Sequence, residues 1–129
     1  TAQSQPALRL RSEEQLVGCV ATPLTAKVIL LSNQGYAKSL PVEAIRPTRL
    51  GGLGMQGFQF VSRTDRLCCL LPVRDHYYLA MTTNHDRVAR LPMAAIAALQ
   101  PETPILQLLA DEQLVDVALV QQVMEQCLE

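Results

Sequence analysis

With 129 residues, 49% of them hydrophobic and 18% charged, the chain has the make-up of one folded domain and not that of a disordered segment. The apolar residues are mostly Leu, Val, Ala and Ile, with no Trp and two Phe, which points to an aliphatic core, and no apolar run approaches the roughly 18 residues of a membrane-spanning helix. Net charge is −1, which taken alone argues against a polyanion partner, but its distribution is uneven. All eleven Lys and Arg lie in residues 1–100 with six acids, a net +5, whereas residues 101–129 hold six acids and no Lys or Arg, a net −6. A basic body followed by an acidic end suits a polyanion-binding surface and a segment that competes for it.

Residues 1–12 read as a flexible lead. The first seven are small and polar, do not begin with Met and lack the basic-then-apolar order of a secretory signal, which points to processing or an engineered boundary. Residues 16–22 and 27–31 are short apolar runs broken by Pro23 and read as strands; the second meets the turn Ser32-Asn-Gln-Gly35, which closes a hairpin with a strand over 36–42. A fourth strand follows over 56–61. The next unit repeats this order, with strands over 67–73, 77–82 and 87–93, a turn at Thr83-Asn-His-Asp86 and a fourth strand over 103–109. Asn33 and Gly35, and likewise Asn84 and Asp86, suit the positive φ of tight hairpins. Residues 110–128 admit two readings, because Leu114, Val117, Ala118, Met124, Cys127 and Leu128 recur at helical spacing behind Asp111 while the repeat register implies a strand through about Val120. Strand first and a short C-terminal helix after it is the expectation.

That register comes from sliding the chain along itself by 51 residues. Ser32-Asn-Gln-Gly-Tyr-Ala-Lys-Ser-Leu-Pro-Val-Glu-Ala-Ile45 then overlies Thr83-Asn-His-Asp-Arg-Val-Ala-Arg-Leu-Pro-Met-Ala-Ala-Ile96, and Glu14-Gln-Leu-Val-Gly-Cys-Val20 overlies Asp65-Arg-Leu-Cys-Cys-Leu-Leu71. A third copy opens at Asp111, where Asp-Glu-Gln-Leu-Val echoes Glu13-Glu-Gln-Leu-Val17. Four antiparallel strands per roughly 50 residues is the period of a propeller blade. The expected architecture is therefore all-β: two four-stranded antiparallel blades, 13–61 and 62–109, and part of a third over 110–129.

Enzyme signatures are missing. The chain has no Gly-x-x-x-x-Gly-Lys loop, no His-Glu-x-x-His and no Gly-x-Ser-x-Gly elbow. His76 and His85 sit near turns beside Asp75 and Asp86 and read as surface groups. The spacings of Cys19, Cys68, Cys69 and Cys127 match no secreted disulfide framework and fit a reducing cytoplasm, and the adjacent pair on a strand points to opposite faces, against joint ligation of a metal. No catalytic residue, metal or cofactor is expected.

The order of the motifs resembles the repeat of the C-terminal β-propeller of DNA gyrase and topoisomerase IV A subunits. The matching pieces are Ser32-Asn-Gln-Gly-Tyr-Ala-Lys38, Leu40-Pro41, a glycine-rich box, a strand-rich stretch ending Thr82-Thr-Asn84, and Thr103-Pro-Ile-Leu-Gln-Leu-Leu109, together covering about residues 13–120. The resemblance implies an accessory module of a type IIA topoisomerase whose basic rim contacts and wraps duplex DNA non-specifically, with the catalytic tyrosine and the ATPase elsewhere. It implies partners in the rest of the A subunit or the B subunit, and a bacterial, nucleoid-associated location. The family's box, Gln-Arg-Arg-Gly-Gly-Lys/Arg-Gly, falls here on Thr48, Arg49, Leu50, Gly51, Gly52, Leu53 and Gly54, so the glycines stand and one of three basic positions does. The DNA-binding set is Arg46 and Arg49 by the box, Lys38 after the Gly-Tyr turn, and Arg87 and Arg90 in the second repeat, while Arg63, Arg66 and Arg74 read as plain surface charges and Tyr36 as a packed aromatic. The alternative is an interaction or oligomerisation scaffold of the same fold whose box has decayed. Two blades and a fraction leave apolar flanks, so a homo-oligomer is expected, with residues 111–120 or the tail beyond them crossing to a neighbour.

Overall fold

The computed structural model describes residues 10–45, 47, 51 and 54–122. Among the described residues seven strands form two antiparallel sheets. Strands β1 (Lys27–Ser32) and β2 (Tyr36–Pro41) make the first hairpin, and β4 (Tyr77–Thr83) and β5 (Val88–Pro92) make the second. The two turns use equivalent positions 51 apart. Gly35 (φ 85°) and Asp86 (φ 59°) take the left-handed conformation that a tight turn demands. Ser32 and Thr83 brace the loops: the Ser32 hydroxyl accepts from Tyr36 N at 3.1 Å, and the Thr83 hydroxyl accepts from His85 N at 3.2 Å.

Each hairpin is completed by strands from the repeat that follows it. Strand β3 (Leu67–Pro72) pairs with β1, and β6 (Thr103–Pro104) pairs with β2, giving the order β3-β1-β2-β6. Strand β7 (Leu114–Gln121) pairs with β4, giving β5-β4-β7. The register is the same in both sheets. Leu67 lies opposite Ser32 and Leu114 opposite Thr83, each beside a slip in the ladder.

This exchange explains which expected strands form. Residues 16–22 correspond to β3, whose partner is the hairpin of the preceding repeat; no described hairpin precedes them, and they form no strand. Residues 56–61 are likewise not a strand, and the one expected over 103–109 shrinks to Thr103–Pro104. Residues 114–121 are strand and not helix, and β7 pairs with β4 of its own chain, which corrects the expectation that this segment crosses to a neighbour. Residues 123–129, where a C-terminal helix was expected, lie outside the described residues. The helix that does form, α1 (Met93–Ala97), follows Pro92, whose fixed φ of −63° starts the turn. Its repeat counterpart after Pro41 is a single 3-10 turn, Val42–Ala44.

The core lies where the sheets face each other. Ile29, Leu31 and Ala37 from the first pack with Leu79, Met81 and Leu114 from the second, and α1 closes it with Met93 and Ile96. At roughly 1.5–3 kcal/mol per fully buried aliphatic side chain, these residues carry most of the cohesion. No helix among the described residues is long and apolar enough to cross a membrane.

Candidate nucleic-acid interface

Of the five cations expected to grip phosphate, Arg46 and Arg49 lie outside the described residues, as does Gly52 of the box. Gly51 and Gly54 both have φ of 80°, a backbone state that a side chain would strain. The remaining cations occupy three different environments.

Lys38, on β2, is paired. Its ammonium donates to Glu102 Oε1 at 3.1 Å, and the same oxygen accepts from Gln59 N at 3.0 Å. Burial works against the charged form of Glu102, but the Gln59 and Glu102 N–H groups and the Lys38 ammonium outweigh it and hold the carboxyl below its ordinary range.

Arg87, at the end of the second hairpin turn, is held more firmly. Its Nε donates to Glu112 Oε2 at 2.7 Å, and its Nη2 to Glu112 Oε1 at 2.8 Å and to the Gln107 carbonyl at 2.9 Å. Glu112 also accepts from the Thr83 hydroxyl at 2.7 Å and from Leu109 N at 3.1 Å, and its side chain is sealed from solvent. The Arg87 guanidinium and the Thr83 hydroxyl, against the cost of burial, draw the Glu112 carboxyl down to about 2. This two-point fork is the strong form of an ion pair.

Arg90 is different. On the edge strand β5, its guanidinium carbon lies 4.6 Å from the centroid of the Tyr78 ring, and the side chain pairs with no carboxylate among the described residues. A ring face orients the cation without neutralising it. Lys27, Arg63 and Arg74 are also exposed and form no ion pair among the described residues. A groove of about 650 Å³ beside Tyr36 and Leu106 is lined by Glu112 and holds no Lys or Arg, so it does not suit an anion.

His85 Nε2 sits 3.3 Å from Asp111 and not on Asp86, and His76 stands in a turn at φ 64°. Cys68 is the extra residue where the β1–β3 ladder slips, so strict alternation fails there. The two thiols share a hydrogen bond, which lowers Cys68; that bond and burial push Cys69 far up. Among the described residues no cluster of three or more His, Cys, Asp or Glu could hold a metal.

Sequence reasoning missed the acids. Asp65 and Glu112 stand two residues before the opening leucine of their repeats, and each clamps the hairpin of the preceding one: Asp65 Oδ1 accepts from Gln34 N at 3.0 Å, Glu112 from Thr83 and Arg87. Their alignment with Glu14 carried the signal.

No family model matches the chain. It is 34% identical over 86 residues, 67% of its length, to the DNA topoisomerase 4 A subunit of Synechocystis sp., 9% of which is covered. It is 25% identical over 104 residues, 80% of its length, to the DNA gyrase A subunit of Chlamydia pneumoniae, 12% of which is covered. The chain thus spans about a tenth of the length of these relatives. Its fold matches a crystal structure of the C-terminal domain of DNA topoisomerase IV with a TM-score of 0.74 at 19% identity, over 88% of this chain and 37% of that one. The chain is a homologue of the A subunits of DNA gyrase and topoisomerase IV, built on the fold of the topoisomerase IV C-terminal domain.

Proposed function

We propose that this chain is an accessory module of a type IIA topoisomerase that contacts duplex DNA non-specifically through a basic rim, in the bacterial cytoplasm and alongside the remainder of the A subunit or the B subunit. It performs no strand passage itself; its part is to hold DNA. The observation that carries the reading is Arg90, exposed on the edge strand β5, oriented by Tyr78 and paired with no carboxylate among the described residues. Phosphate contacts of this kind position DNA without reading its sequence. Arg46 and Arg49 belong to the same rim by their place in the box. Lys38 and Arg87 contribute less, since each already faces a carboxylate.

Neutralisation of those two cations favours the second reading, an interaction scaffold that kept the fold and lost wrapping. A titration with duplex DNA separates them. Three phosphate contacts give a log-log salt slope of about −2.7, roughly a fortyfold loss of affinity from 50 to 200 mM salt. No complex at micromolar protein in 50 mM salt, the low end of that range, decides for the scaffold.

A further inference from the structure

Neighbouring residues on a regular strand point to opposite faces, so a Cys-Cys pair is normally split across its sheet. In β3 it is not. Cys69, Leu71 and Val73, at alternate positions, pack against the core that joins the two sheets, and Cys68, one step out of phase, packs against it as well. The cause is the slip in the β1–β3 ladder: Leu31 lies opposite Cys69 and Ser32 opposite Leu67, which leaves Cys68 as an extra residue without a partner on β1. A bulge of this kind re-aims a side chain. The two thiols hydrogen-bond to each other, and both residues remain half-buried, within reach of a small solute.

We propose that Cys68 and Cys69 form a two-sulfur site on the core-facing side of β3, whose ligand is a neutral trivalent arsenical held by both sulfurs.

The geometry selects that chemistry over its rivals. Consecutive Cα atoms across a trans peptide stand about 3.8 Å apart, short of the roughly 4.4–6.8 Å of an ordinary disulfide, so the pair resists closing on itself. An atom inserted between the sulfurs relieves that limit. Thiolates prefer soft partners, but structural zinc takes four ligands, and among the described residues no cluster of three or more His, Cys, Asp or Glu supplies them. A linear two-coordinate metal ion draws its sulfurs to opposite sides, whereas trivalent arsenic is pyramidal, and its bent S–As–S angle suits sulfurs already in contact. Charge adds a filter. Asp116 opposes thiolate formation at both sulfurs and Asp65 at Cys68, so an uncharged reagent is favoured over an anion.

The capture balances without an oxidant. Donation from the Cys69 thiol draws Cys68 below the ordinary thiol value, while that bond and burial push Cys69 up, so Cys68 attacks first. With hydrated phenylarsine oxide, PhAs(OH)2, a bond forms from the Cys68 sulfur to arsenic, and one hydroxide leaves with the thiol proton as water. Cys69 repeats the step. Two thiols and PhAs(OH)2 give one cyclic adduct and two waters, and arsenic stays trivalent.

The test uses the full chain, reduced and then exposed to one equivalent of phenylarsine oxide. Trypsin releases Leu67–Arg74, which carries Cys68 and Cys69 and no other cysteine. Mass spectrometry is expected to find the arsenical on that peptide with both thiol hydrogens replaced. On the intact chain the adduct withstands excess 2-mercaptoethanol and yields to 2,3-dimercaptopropanol, which offers two sulfurs. Cys69→Ala, left with one sulfur, loses affinity roughly a hundredfold or more, the scale of losing a second attachment, while Cys19→Ala and Cys127→Ala bind as the wild type does. Should Cys69→Ala melt well below wild type, the peptide map and the monothiol challenge on the unaltered chain decide. An arsenical found elsewhere than on 67–74, an adduct that 2-mercaptoethanol strips, or a folded Cys69→Ala chain that binds as tightly as wild type overturns the proposal.

Discussion

Replacing Arg90 by Ala removes one of the three phosphate contacts assigned to the rim, and the consequence follows from counterion release. Each contact contributes about −0.9 to the slope of log affinity against log salt, so the slope moves from about −2.7 to about −1.8, and affinity at 50 mM salt falls about 15-fold. The fold is spared. Arg90 is exposed, and its contact with the Tyr78 ring, 4.6 Å from the centroid, is worth about 0.5–1 kcal/mol at such a site. Fluorescence anisotropy with a labelled duplex at four salt concentrations reads the slope directly, with thermal melting as the folding control. Lys38→Gln is the comparison: its ammonium already sits 3.1 Å from Glu102, holds few counterions to release, and its loss leaves the slope unchanged. An Arg90→Ala chain with the wild-type slope, or a Lys38→Gln chain that loses a full contact, refutes the assignment.

Leu114→Ala removes three carbons from a side chain sealed between the sheets, a cost of about 2–5 kcal/mol including the cavity. Val115→Ala, at the exposed neighbour, stays within about 0.5 kcal/mol, and urea denaturation compares the two. Because the Glu112 carboxyl is depressed in the folded state to about 2, its stabilisation is complete above the ordinary carboxylate value and is lost as pH falls through about 2. Urea midpoints measured over that window decline in the wild type and decline less in Glu112→Gln. Gly35→Ala places a Cβ at φ 85° and 3.3 Å from both the Leu106 Cβ and its carbonyl oxygen, a loss of about 1–3 kcal/mol. A melting temperature equal to wild type contradicts that geometry.

The hairpins were legible in the sequence because their determinants are local. Ser32-Asn-Gln-Gly35 and Thr83-Asn-His-Asp86 specify turns by their own chemistry, and alternation on either side fixes the strands. Strand exchange was not legible, because pairing depends on which hairpin lies nearby in space. Residues 16–22 and 67–73 look alike to any local rule; β3 pairs with β1, and residues 16–22 have no strand partner among the described residues. From Leu114 to Val120 the repeat register, not the helical spacing, gave the right reading, since the open side of β4 takes seven residues of that segment as a strand. The cations were chosen by their place in the box, after the Gly-Tyr turn or on the matching strand of the second repeat, a rule blind to the carboxylates that folding brings beside Lys38 and Arg87.

The charge asymmetry has a different meaning once those carboxylates are located. Glu102 and Glu112 both belong to the acidic end, and they sit on Lys38 and Arg87 of the basic body. That end is therefore less a free competitor for the rim than a structural half of it, clamping the β4–β5 hairpin through Glu112 and filling the core through Leu114. A segment that competed with DNA by charge alone would be released by salt. This one is tied by a fork sealed from solvent on its acidic side and by a strand paired along β4, neither of which ordinary salt screens. On the proposed reading, the charge left over for DNA is set by the cations that folding leaves unpaired, and among the described residues Arg90 has surroundings, an aromatic face and an open edge, that orient it without cancelling it.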